Sequence, residues 1–166
     1  KTGQGTLTLT NANTYAGATS VGGTPTLSGN TNNQAYAGTT LVTGVGGGTL
    51  SLDFSASGAP TSNILSSSSA LSMGGSTLTL TGASGASNSQ TVNGLVLNPG
   101  LSTITLTAGS SGSTVLNLGT ITQNTATGNS FNDRVNGLNI NLPSGTQSST
   151  NGVTTSNTNT NGILKP

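Results

Sequence analysis

Ser76-Thr-Leu-Thr-Leu-Thr81 and Ser102-Thr-Ile-Thr-Leu-Thr107 are nearly the same six residues written twice, 26 positions apart. Each alternates apolar with hydroxyl side chains at period two, the pattern of a strand with one buried and one solvated face. Thr is β-branched and suits a pleated surface. The same alternation runs through Leu7 and Leu9; Leu50, Leu52 and Phe54; Leu116 and Leu118; and Leu138, Ile140 and Leu142. Gly- and Asn-rich clusters at 21–23, 44–48, 84–89 and 107–113 separate these runs and supply the positive-φ positions that turns need. No stretch repeats apolar residues at helical spacing, so the chain reads as all-β.

The recurrence decides between two all-β architectures. Short strands between turns fit an Ig-like, Greek-key β-sandwich as well as a coil of stacked strands. A coil, however, needs a similar residue count for every turn and so writes a period into the sequence. Residues 49–59 resemble 77–86 at a lag of 28, and Val92–Gly100 resembles Val135–Gly145 at a lag of 43. Both tyrosines sit in one frame, Tyr15-Ala-Gly-Ala-Thr19 and Tyr36-Ala-Gly-Thr-Thr40, at a lag of 21. The Thr-Leu-Thr-Leu-Thr runs at 6–10 and 77–81 lie 71 apart. A period of about 21 to 28 residues predicts a parallel β-helix (β-solenoid) of about seven rungs. In it, Tyr15 and Tyr36 form a stacked ladder, and Leu78, Leu80, Ile104 and Leu106 stack through the core. Asn side chains at the turns are expected to form amide ladders of the kind seen in stacked strands.

Composition excludes several functions. Only Lys1, Asp53, Asp133, Arg134 and Lys165 carry charge, for a net +1, and there is no Glu, His, Cys or Trp. Nucleic-acid binding lacks its basic stripe, and no run approaches the roughly 18 apolar residues of a membrane span. Catalysis needs a titrating group or a polarising metal. Nearly half the chain separates Asp53 from Asp133, and no His can activate the many Ser. An enzyme is therefore not expected, nor is any cofactor or metal. Thr6, Thr8, Thr10, Thr77, Thr79 and Thr81 form Thr-x-Thr triplets that could make a flat binding face, for ice or another surface. Their spacing, with Ser, Asn or Val between, argues against a continuous threonine lattice.

Residues Gly5 to Val21, GTLTLTNANTYAGATSV, resemble the autotransporter-associated β-strand repeat of secreted passenger domains and very large bacterial surface proteins. In that family a Gly-Thr-Leu-Thr-Leu-Thr strand precedes an Asn-x-Tyr-x-Gly turn and another Gly-Thr-Leu strand. Gly5 to Thr10, Asn13, Tyr15 and Gly17 match position by position. Thr24-Pro25 interrupts the second strand, and the second tyrosine frame has no Thr-Leu-Thr-Leu-Thr run immediately before it. The resemblance implies a right-handed parallel β-helix on the bacterial cell surface, extracellular, with no common catalytic residue.

The expectation for residues 1–166 is a single repeat-built segment, one module of a longer chain or a subunit of a filament. Its predicted role is structural, a rigid spacer that self-associates end to end or packs on neighbouring repeats. The competing role is a surface-binding module with a glycan or other surface ligand.

Overall fold

The computed structural model describes residues 5–9, 11–12, 19–22, 48–124, 136–143, 147–160 and 163–164. Three parallel sheets hold almost all of the strands. The first contains, in spatial order, β1 (Gly5–Leu9), β3 (Gly48–Asp53), β5 (Thr77–Thr81), β8 (Gly100–Thr107) and β11 (Asn136–Asn141). The second contains β10 (Ile121–Gln123), β7 (Leu95–Leu97), β4 (Leu71–Gly74) and β2 (Thr19–Gly22), and the third β12 (Gly152–Thr154), β9 (Ser113–Asn117) and β6 (Ser87–Thr91). A short antiparallel pair, β13 (Asn159–Thr160) with β14 (Ile163–Leu164), stands apart.

From β5 onward the chain visits the sheets in a fixed cycle of first, third, second, and then first again. That succession, with every pairing inside the three sheets parallel, is compatible with a parallel β-helix and not with the antiparallel pairing of a Greek-key sandwich. No α-helix occurs among the described residues.

Register reproduces two of the sequence lags. Thr49 pairs with Thr77, and Thr77 in turn with Thr103, so the lags of 28 and 26 are successive steps across one sheet. Two other lags mislead. The 71 residues from Thr6 to Thr77 span two steps, not the three that a period of 21 to 28 residues implies: β1 pairs with β3 and β3 with β5, so the two runs are second neighbours in one sheet. Val92–Gly100 and Val135–Gly145 do not stack, since the first contributes β7 to the second sheet and the other β11 to the first. Short Leu/Asn motifs fit the inner face of any of the three sheets, so similarity alone does not fix the sheet. In the regular part a full turn runs from Thr49 to Thr77, and the next from Thr77 to Thr103. The longest sheet has five strands among the described residues, against the seven rungs expected. The tyrosine frames at Tyr15 and Tyr36 lie outside the described residues.

Alternation delivers the core. β3 and β5 bury every second residue, and the rows Leu50–Leu78–Ile104 and Leu52–Leu80–Leu106 run from strand to strand at or near zero exposure. Leu71, Met73, Leu95, Leu97 and Ile121 close the core from the second sheet, and Leu116 and Leu118 from the third. Each such side chain contributes about 2 kcal/mol when fully buried. The expected apolar row Leu138–Ile140–Leu142 is different: Leu138 is half-buried, and Ile140 remains 37% exposed although it pairs with the buried Ile104.

Glycine makes the corners possible. Gly100 has φ +122°, and a Cβ there would sit 2.7 Å from the backbone N of Gly75 in the adjacent turn. At Gly109 a Cβ would meet the backbone of Ala83 at 2.2 Å. Successive turns therefore touch backbone to backbone at these corners.

Candidate functional site

The outward faces of β3, β5 and β8 carry the residues that alternate with the core rows, and the register assembles them into ranks. Thr49, Thr77 and Thr103 form one rank, Ser51, Thr79 and Thr105 a second, and Asp53, Thr81 and Thr107 a third. β11 extends the first two with Asn139 and Asn141. On the other side β1 pairs Thr6 with Thr49 and Thr8 with Ser51; Thr8 is exposed. Thr10 lies outside the described residues. The triplets at 77–81 and 103–107 are thus adjacent and in register, but no continuous threonine lattice forms among the described residues: Ser51 and Asp53 stand between them and β1, and Asn139 and Asn141 follow on β11. The lag of 26 is one full turn, and the lag of 71 spans two turns in the same sheet.

The result is a sheet face tiled with hydroxyls at about 4.8 Å between strands and about 6.6 Å along each strand. Its side chains are mostly half-buried, because closely spaced β-branched neighbours cover one another. At the β11 margin amides take over: Asn141 Nδ2 donates to Thr105 Oγ1 at 3.2 Å, and Asn139 Nδ2 to Asn141 Oδ1 at 3.4 Å. Leu101, 67% exposed, adds an apolar side chain at the start of β8. Asp53, the only charged side chain among the described residues, turns back on its own strand end, its Oδ1 accepting from Ser55 N at 2.9 Å and Ser55 Oγ at 2.6 Å. The face can offer neutral hydrogen-bond donors and acceptors at fixed spacing.

Leu78 pairs with Ile104 and Leu80 with Leu106 inside the core, so the four residues expected to stack do share two rows. An amide ladder of one step appears where Asn124 Nδ2 donates to Asn98 Oδ1 at 3.0 Å. A second set of amides escaped the sequence reading. Gln90, fully buried, accepts from Leu65 N and donates to Leu65 O, both at 3.0 Å. Asn157 holds Ile121 in the same two-handed way, at 2.5 and 3.0 Å, and Gln147 holds Val153, at 3.0 and 2.6 Å. Each amide substitutes for a neighbouring strand. Nothing in the local pattern around Gln90, Gln147 or Asn157 announces this, because the partner is set by the turn above or below.

No group of His, Cys, Asp or Glu able to hold a metal occurs among the described residues, and no helix there is long and apolar enough to cross a membrane.

The class so defined is an all-β protein of parallel sheets, compatible with a coil of stacked turns, with a regular polar face. Over 79 residues, 48% of this chain, it is 48% identical to the adhesin BmaC autotransporter of Brucella suis biovar 1 (strain 1330). The chain spans a small part of that protein, 2% of its length. No family model and no solved structure matches. The likeness agrees with the resemblance to autotransporter surface proteins read from residues 5–17, without establishing the repeat family.

Proposed function

We propose that the chain is a segment of a bacterial cell-surface adhesin of the autotransporter type, a right-handed parallel β-helix that acts as a rigid spacer and bears adhesive surface. The observation that carries this reading is the 48% identity over 79 residues to an autotransporter adhesin. The parallel, in-register sheets support it, since stacked turns give a stiff rod that grows about 4.8 Å per turn. Right-handedness follows from the strong preference of parallel crossover connections for that hand. The work is mechanical, not catalytic. Beads coated with the purified chain are expected to adhere to cultured mammalian cells or to matrix-coated surfaces. Adhesion no greater than that of beads coated with an unrelated all-β protein overturns the reading.

The ranked hydroxyl face favours a second reading, binding of a regular surface such as a glycan polymer or ice. Thr77–Thr103 and Thr79–Thr105 are the pairs that support it. Saturable binding on a glycan array, or inhibition of ice recrystallisation, is expected to disappear in Thr79→Tyr while the β-sheet circular dichroism stays unchanged. Absence of both activities in the unaltered protein removes this reading.

A further inference from the structure

The three sheets end differently after the last turn. In the second sheet, the outer edge of β10 presents the N–H and C=O of Ile121, and the Asn157 amide occupies both. In the third, the outer edge of β12 presents those of Val153, and the Gln147 amide occupies both. Gly152 makes room for this clamp, since a Cβ there would meet Gln147 Oε1 at 2.3 Å. Both edges are thereby closed to a further strand, as exposed edges in native sheets usually are.

β11, at the margin of the first sheet among the described residues, carries no such clamp there. Parallel pairing uses alternate residues: Thr103 N donates to Ser76 O on the β5 side, so Ser102 and Ile104 serve β11. By the same alternation Asn139 and Asn141 face β8, and the N–H and C=O of Leu138 and Ile140 point outward. No described strand pairs with that edge. Beside it, Leu97, Ile121, Leu138 and Ile140 line a cavity of about 210 Å³. Asn136, also in its wall, donates through Nδ2 to Leu97 O and Asn124 O, while its buried Oδ1 has no partner. An apolar cleft, an open row of backbone groups and an orphaned acceptor together ask for an extended peptide strand.

We propose that β11 is a docking edge for one added parallel strand, and that its occupant is β1 of a second copy of this chain. β1 lies at the opposite margin of the same sheet, and its sequence, Gly-Thr-Leu-Thr-Leu, continues the register. Leu7 pairs with Leu50, in the row Leu50–Leu78–Ile104 that ends at Ile140. Extending that row sets Leu7 beside Ile140. The alternation then matches: β1 spends Gly5, Leu7 and Leu9 on β3, which leaves the C=O of Thr6 and the N–H of Thr8 on its outer edge. Ile140 N–H meets the first and Ile140 C=O the second. The clamps at Ile121 and Val153 restrict this contact to one sheet, so it is a strand addition and not the full stacking of one coil end on another. The inference deepens the spacer reading and rests on its coil, not on adhesion: loss of cell binding leaves it standing, and a monomeric protein leaves adhesion standing.

The test combines sedimentation of the intact chain with anisotropy of a labelled synthetic peptide of residues 5–10. Concentration-dependent head-to-tail assemblies, open-ended because each one keeps a free β1 and a free β11, and saturable peptide binding are expected, both lost in Ile140→Asp. Because that variant could unfold, the peptide supplies a second arm with the protein unaltered. Methylation of the Thr8 nitrogen is expected to weaken binding at least tenfold, and methylation of the Leu7 nitrogen, which faces away, to weaken it less than threefold. Removing both clamps (Gln147→Ala with Asn157→Ala) is expected to tighten the association at least tenfold, because the second and third sheets can then pair as well. A protein monomeric at every concentration, association that survives Ile140→Asp, or equal loss from the two methylated peptides would each overturn the proposal. An association no tighter in the clamp variant than in the unaltered chain would overturn the role given to the clamps.

Discussion

Ser102 and Gln90 are both fully buried polar residues on inward positions, and they are expected to respond to substitution in opposite directions. Ser102 Oγ has no hydrogen-bond partner, so its burial costs free energy without return. Gln90 makes three bonds, two to Leu65 and one to Thr91 O at 2.7 Å, and so completes the backbone pairing of Leu65 in the middle of the core. Ser102→Ala is expected to raise stability by about 1 kcal/mol, and Gln90→Leu to lower it by about 3 kcal/mol, because the latter strands a buried N–H and C=O. Thermal or chemical denaturation of the two variants reads both signs. A destabilised Ser102→Ala would mean that the hydroxyl has a partner after all. The sequence did not distinguish these residues, since both stand where a strand pattern simply carries a polar letter. What separates them is the chain one turn away, in the loop that brings Leu65 beside Gln90.

At the scale of the element, strands and corners are specified by different kinds of information. The strands of the first sheet were legible because Leu/Ile and Thr alternate strictly in β5 and β8. There the lags from Thr49 to Thr77 and from Thr77 to Thr103 are the register itself. The hydroxyl ranks were legible as triplets but not as a face, because a face needs the knowledge that one turn of chain carries Thr77 to Thr103. Corners are set by backbone approach, which no side-chain pattern reports. Gly85 and Gly100 illustrate the difference. Both have positive φ, +69° and +122°, yet a Cβ at Gly85 meets nothing within 4 Å whereas at Gly100 it strikes the backbone of Gly75. Gly85→Ala therefore carries the conformational term alone, about 1 kcal/mol, whereas Gly100→Ala adds displacement of a neighbouring turn and is expected to cost at least about 3 kcal/mol. Urea midpoints for the two variants check this, and equal shifts would show that the turns are not packed through that corner.

Over the whole molecule, stability should be distributed along one dimension. In stacked strands each layer packs on the ones beside it, so a strand paired on both sides opens less readily than one paired on one side. β5 and β8 lie between paired strands, and Leu78, Leu80, Ile104 and Leu106 are 3% exposed or less. β11 pairs on one side only among the described residues, and its inner residues Leu138 and Ile140 are incompletely covered. Amide hydrogen exchange is therefore expected to be slowest at Leu78 and Thr103, whose N–H groups bond between β5 and β8 in the middle of the sheet. The amides of Asn139 and Asn141, bonded to β8 by the same ladder geometry, should exchange at least tenfold faster, because opening the last turn disrupts far less apolar contact than opening a central one. Docking of a strand on β11 reverses the order of exposure there: at protein concentrations that favour assembly, protection should rise in β11 and stay unchanged in β5. A uniform exchange rate across β5, β8 and β11 would show that the coil opens as one cooperative body, and would leave β11 no readier than any other strand to receive a partner.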